Sequence, residues 1–129
     1  MAVTQTDTTR SLSGNRGAKK LNYAYYVAEI LHDDTNDPTI NVIENTLGFT
    51  PAWTRAAVGE VKATYTGGFP LADTVVFLSK VSDGNQNGND DIYFENNGTN
   101  EIRFFQYRNA VATDNIINNN RVEIRIYNQ

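Results

Sequence analysis

The closing stretch Arg121-Val-Glu-Ile-Arg-Ile-Tyr127 alternates charged and branched apolar side chains without a break. In an extended strand successive side chains point to opposite faces, so Val122, Ile124 and Ile126 share one face and Arg121, Glu123 and Arg125 the other. No segment of ten residues anywhere carries an apolar face at i, i+3, i+4 and i+7, which removes the helix as an organising element. A chain of this kind must bury one-sided strands against each other.

The same reading finds strands at Tyr23–Leu31, Ile40–Asn45, Trp53–Ala56, Glu60–Tyr65, Asp73–Val81, Asp91–Glu95 and Glu101–Arg108. Turn formers separate them: His32-Asp-Asp-Thr-Asn-Asp-Pro38, a tight turn at Ala57-Val58-Gly59, Gly67-Gly-Phe-Pro70, and Asn97-Gly98, a strong hairpin signal. In Glu60–Tyr65 the residues Val61, Ala63 and Tyr65 fall on one face, and Asp73–Val81 is apolar on both faces, which predicts a central strand covered on each side. About eight evenly spaced strands predict an all-β, single-domain antiparallel β-sandwich, a jelly roll or an immunoglobulin-like Greek key, over residues 22–129.

The sole tryptophan, Trp53, follows the Gly48 and Pro51 corner at a strand start, where an indole fills the widest gap between two layers. Most other aromatics read as core, leaving Phe49 and Phe69, beside Gly and Pro in loops, as the exposed pair.

Residues 1–21 form a distinct segment, an N-terminal extended arm rich in Thr, Ser, Gly and Asn with neither strand nor helix periodicity. A segment so poor in apolar surface stays flexible in isolation, and two readings stand: a frayed terminus, or an arm that orders only on a neighbouring subunit. Arg10, Arg16, Lys19 and Lys20 stand against Asp7 there, net +3, while the seven later cations face fourteen acids, net −7. An acidic body repels phosphate backbones, so no direct nucleic-acid contact by the body is expected. The absence of cysteine removes disulfides, zinc-thiolate sites and thiol nucleophiles together. No run approaches the ~18 apolar residues of a membrane span and the first residues hold no apolar leader core, so the expectation is a soluble protein synthesised in a cytoplasm, with no membrane partner.

Candidate chemistry is sparse. His32 is the sole histidine, beside Asp33 and Asp34, but Ser11, Ser13, Ser79 and Ser82 lack a nucleophile-elbow context, and a solvated loop histidine is the expected state. Glu29 and Glu44 stand out by lying within apolar strands, and Glu44 is expected to bond a backbone group at the Asn45-Thr46 corner rather than act as an acid. Asp83, Asn85, Asn87 and Asp91, with Gly88 between, match the first half of an EF-hand-like loop; Phe94 stands where the bidentate Glu belongs, so this is at most a weak Ca²⁺ site, and a polar hairpin loop is the favoured reading.

Val42-Ile-Glu-Asn-Thr-Leu-Gly48, then Trp53 with Val58-Gly59, then Val122-Glu-Ile-Arg-Ile-Tyr127 resemble a set of small β-rich virion-associated proteins of tailed phages and prophages of Bacteroidota-type hosts, in which an ENTLG segment, a Trp and a closing IEIRVY strand recur. The pattern covers most of residues 25–127; Asn128-Gln129 stands where it usually has Pro. The resemblance implies a phage structural context, and residues before Lys20 lie outside its pattern. Together with the basic arm it leads to the expectation of a non-enzymatic structural protein of the virion, a head decoration (auxiliary capsid) protein or a tail component, docked through the arm to capsid or tail subunits as a homo-oligomer or lattice neighbour. The alternative is a glycan- or receptor-binding module at the virion surface, assisted by Ca²⁺ in the Asp83–Asp91 loop.

Overall fold

In the computed structural model, which describes residues 22–79 and 89–128, the alternating segments form strands and no helix. The strands are β1 Tyr23–Leu31, β2 Thr39–Asn45, β3 Ala52–Ala57, β4 Glu60–Thr64, β5 Thr74–Leu78, β6 Asp90–Asn96, β7 Glu101–Arg108, the short β8 Val111–Ala112 and β9 Asn120–Tyr127. They build two antiparallel sheets: β2-β1-β9-β5, and β3-β4-β7-β6 with β8 added beside β7. The basic residues of the arm, Arg10, Arg16, Lys19 and Lys20, lie outside the described residues, as do Asp83, Asn85 and Asn87.

Period-two alternation decides which face each strand buries. Tyr26, Ala28 and Ile30 of β1 and Val122, Ile124 and Ile126 of β9 meet Trp53, Val61, Ala63, Ile102 and Phe104 of the other sheet in one core, which makes the pair of sheets a β-sandwich. Large and small residues alternate across the layers: Trp53 lies opposite Ala63 in the register, so the indole projects past its neighbour. It reaches the facing sheet, where its Nε1–H donates to the Tyr26 hydroxyl at 3.1 Å, and it stacks on Phe104 at 5.5 Å. Burial in this core pushes the Tyr26 phenol pKa up against the opposing pull of the Trp53 hydrogen bond.

The turns explain the residues that made them legible. Val58-Gly59 joins β3 to β4, and Gly59 has φ +71° with a Cβ there meeting the Gln106 carbonyl at 2.6 Å, so no other residue fits without displacing backbone. The Asn97-Gly98 hairpin forms as expected, with Gly98 at φ +75° and Asn97 N–H donating to the Glu101 carbonyl. The corner Glu44-Asn-Thr-Leu-Gly48 is a clamp. Asn45 accepts from Leu47 N and donates to Phe49 O, Thr46 Oγ1 accepts from Tyr25 N, and Gly48 turns the chain at φ +88°. At the opposite end of the chain Asn128 N–H donates to the Asn22 carbonyl, so β1 begins where β9 finishes.

Three expectations are corrected. Asp73–Val81 is not a central strand: Thr74–Leu78 is the outer strand of its sheet, and Val75 and Phe77 remain 40% and 47% exposed. Phe69 is buried, wedged edge-on against Phe49, because the Gly67-Gly68 corner carries the chain across the sandwich and drops Phe69 inward. Tyr65 falls one residue past the end of β4 and is not buried with Val61 and Ala63; it is 45% exposed and stacks on Phe49 at 4.2 Å.

Trp53→Ala is expected to lower the unfolding free energy by about 3–5 kcal/mol in urea titration, because it empties the space between the sheets and removes the bond to Tyr26. A loss below about 1 kcal/mol would contradict the buried bridge.

Candidate interaction face

The outer surface of the β2-β1-β9-β5 sheet holds the most organised exposed side chains among the described residues. Because Ala24, Tyr26 and Ala28 point inward, Tyr23, Tyr25 and Val27 must point out, and the antiparallel register sets Tyr23 beside Tyr127, Tyr25 beside Arg125 and Val27 beside Glu123. On the other side of β9, Arg125 pairs with Val75 and Glu123 with Phe77. The Arg125 guanidinium therefore lies on a diagonal between two rings, 4.7 Å from the centroids of both Tyr23 and Phe77. Its Nε–H donates to Glu123 at 2.6 Å and Nη1–H to the Tyr127 hydroxyl at 3.3 Å, and Tyr23 packs against Tyr127 at 5.0 Å. Glu123 and then Tyr127 raise the guanidinium pKa, so the group stays charged. A shallow hollow of about 270 Å³ adjoins the stack, bounded by Val27, Phe77 and Arg121.

The Glu44 carboxylate, close to the Tyr25 hydroxyl, raises that phenol's pKa, and the backbone groups of the corner are held by Asn45 and Thr46 instead. Glu29 sits on the same outer face, 3.8 Å from Arg121.

The outer surface of the second sheet is different. Arg103 donates to Glu101 at 2.8 Å and to Glu60 at 3.1 Å, and Lys62 stands 3.7 Å from Glu101. The Asn97 hydrogen bond, with Arg103 and Lys62, holds the Glu101 carboxyl below the usual range against the opposing effect of burial. Beside this ionic lattice Tyr93, 57% exposed, meets Tyr107 edge-on at 5.8 Å, around a hollow of about 210 Å³ that also touches Asp91 and Ala110. Asp91, the one described member of the proposed calcium set, is thus a residue of β6. Among the described residues no group of three or more His, Asp or Glu side chains is placed to hold a metal.

His32 is not a solvated loop residue but is 1% exposed, sealed under the segment that joins β8 to β9. Its Nδ1 faces two donors, Gln106 Nε2 and Asn115 N, each at 3.3 Å, which assigns the ring proton to Nε2. That Nε2 has no hydrogen-bond partner among the described residues. Gln106 Oε1 in turn accepts from Ile117 N, Asn118 Oδ1 accepts from His32 N, and the Asn120 amide donates to the Ile117 carbonyl. Ser79 is occupied elsewhere, its Oγ accepting from Arg121 N at 2.8 Å, so it is not paired with His32. The histidine belongs to a polar plug that closes one end of the sandwich. Asp114 anchors the plug, accepting from Arg55 Nε and Nη2 and from Gly59 N.

The arginine stack and the plug were both missed in the sequence. The first carried a usable signal, since Tyr23 and Tyr25 have the parity opposite to the buried Tyr26. The plug carried none, because its members are spread over Asn, Gln and Asp residues that read as loop.

No protein-family model, curated protein or solved structure matches this chain.

Desolvation pushes the Asp114 carboxyl pKa up, but the hydrogen bonds from Arg55 and Gly59 and the Arg55 charge outweigh it, leaving the folded value below the ordinary one. The stabilisation is therefore full above the unfolded value of about 3.9 and is lost as pH falls through the folded value. Asp114→Asn should destabilise the protein by about 1–2 kcal/mol at pH 7, with the gap to wild type narrowing below about pH 4. Melts giving the same gap at both ends of that range would contradict the assignment.

Proposed function

We propose that this chain is a non-enzymatic structural component of a phage particle, a head-decoration or tail-associated β-sandwich. The reading is supported by the resemblance carried by Val42–Gly48, Trp53 and Val122–Tyr127. The observation that carries it furthest is the half-buried stack of Tyr23, Arg125 and the exposed Phe77, flanked by Tyr127. Tyr, Phe and Arg are the residues that interfaces concentrate, and Lys is among those they deplete; the described lysine, Lys62, lies on the other sheet. A prearranged arginine loses little conformational freedom on docking, which leaves more of the contact energy available for binding. The arm at residues 1–21, net positive with its four basic residues Arg10, Arg16, Lys19 and Lys20, supplies a second, electrostatic contact to an acidic neighbour.

A second reading, a glycan- or receptor-binding module, draws on the Tyr93–Tyr107 hollow of the other sheet, where an exposed ring stands ready to stack on a sugar face. A glycan array separates it from the first: binding lost in Tyr93→Ala supports it, and binding lost with chelator implicates the Asp83–Asp91 loop.

The structural reading is tested in purified particles. The chain should be present at a copy number matching a capsid or tail lattice. Removing residues 2–19 should leave the thermal transition of the β-domain little changed yet reduce incorporation in competition with intact chain, most at low salt and less at high salt if charge carries the contact. Arg125→Ala should reduce incorporation at any salt. Equal incorporation of intact chain and both variants would overturn the proposal.

A further inference from the structure

Among the described residues the sandwich has four outer strands, and three of them are protected against further pairing. β2 is distorted by a register shift opposite Val27/Ala28 and carries Glu44. β3 is irregular between Arg55 and Ala57, and its Arg55 N–H is taken by Asp37 Oδ1 at 2.8 Å. β6 bears three carboxylates, Asp90 (paired with Arg108), Asp91 and Glu95, which a further strand would have to desolvate. Charges, bulges and covering loops are the devices by which natural sheets blunt their edges. β5, Thr-Val-Val-Phe-Leu, has no charge, no proline and no register shift against β9.

The orientation of the β5 backbone follows from its ladder. Tyr127 N–H donates to Asp73 O and Ser79 N–H to Arg121 O, so the odd-numbered residues of β5 face β9 and the even-numbered ones face outward. The outward groups are Val76 N–H and C=O, Leu78 N–H and C=O, and Thr74 C=O; Thr74 N–H is held by Pro70 O at 3.0 Å. Val75 and Phe77, half exposed, stand on the outer face of the sheet at this rim.

We propose that β5 pairs with β5 of a second copy of this chain, antiparallel about a two-fold axis at Val76, joining the two β2-β1-β9-β5 sheets into one. The strand is complementary to itself in that register. Val76 N–H and C=O meet their own counterparts, and Leu78 N–H reaches the partner's Thr74 carbonyl. Val75 then lies directly opposite the partner's Phe77, so the exposed apolar pair of each copy covers that of the other. The absence of charge matters because the rest of the body, net −7 from residue 21 onward, repels a like body at its acidic surfaces. The pairing extends both arginine stacks across the junction through Phe77. It does not depend on a virion context and is measured on the isolated protein.

The full chain should sediment as a dimer at about 100 µM and dissociate on dilution through the micromolar range. Val76→Pro removes an outward N–H and no bond of the β9 ladder, so it should give a monomer with a retained thermal transition. Phe77→Lys, which places a charge on the rim, should do the same and serves if the proline variant does not fold. Register is read by cross-linking, clean in a chain without cysteine. Val75→Cys and Phe77→Cys chains, mixed and oxidised, should yield the mixed disulfide dimer several-fold above either chain alone, since directly opposed residues lie within disulfide reach and the diagonal pairs do not. A wild-type chain monomeric up to about 500 µM, or a dimer that survives both rim substitutions, overturns the proposal.

Discussion

A hydrogen bond through the middle of the core, from the Trp53 indole to the Tyr26 hydroxyl, ties the two sheets at a fixed spacing. Its geometry requires a small residue beside the indole, supplied by Ala63, and a tyrosine at the inward parity of β1. Both polar atoms are buried, so each would be left unsatisfied by a shift of either sheet, and the penalty for an orphaned buried donor or acceptor exceeds the net gain of making the bond. The contact therefore acts on registration more than on total stability. Surrounding apolar residues provide most of the stabilisation, and the bond selects one alignment among the several that such residues tolerate.

The architecture was legible where one face of a strand is wet and the other dry. Val122, Ile124 and Ile126 are buried as their alternation requires, and Asn97-Gly98 turns where an Asn-Gly pair turns. Legibility failed where local pattern is ambiguous about what lies alongside. The apolar run at β5 reads equally as a strand between two others or as an outer strand whose second side is open, because a sequence window records hydrophobicity and not neighbours. His32 and Phe69 failed for a related reason. Each sits among turn residues, yet a segment distant in sequence folds over it: Asn115–Asn118 over the histidine and the hairpin at Thr99 alongside the phenylalanine. Of the candidate site, Arg125 was correctly read as outward, but its place between Tyr23 and Phe77 depends on strand order, which alternation does not encode.

The two outer faces solve the problem of exposed arginine differently. Arg103 is neutralised by Glu60 and Glu101, a lattice whose carboxylates already have their cations. Arg125 has one carboxylate, and its flat surfaces are taken by rings. Ion pairs at a wet surface contribute little and are screened by salt, whereas a stacked guanidinium presents an apolar, planar outline that persists at any ionic strength. This contrast is why the first sheet, rather than the more heavily charged second, is the better surface for a lasting contact.

The meeting of Asn22 with Asn128 has a mechanical consequence. Because β1 and β9 are antiparallel neighbours with Tyr23 opposite Tyr127, a load applied between the segment entering β1 and the segment leaving β9 pulls across the ladder at its end. The bonds would then open one after another, like a zipper, instead of resisting together in shear. A particle that strained this domain through both ends would peel it at low force, while a tether through the entering segment opposed by the sheet face would load many bonds at once. Attachment by one end and one face is the mechanically durable arrangement for this fold.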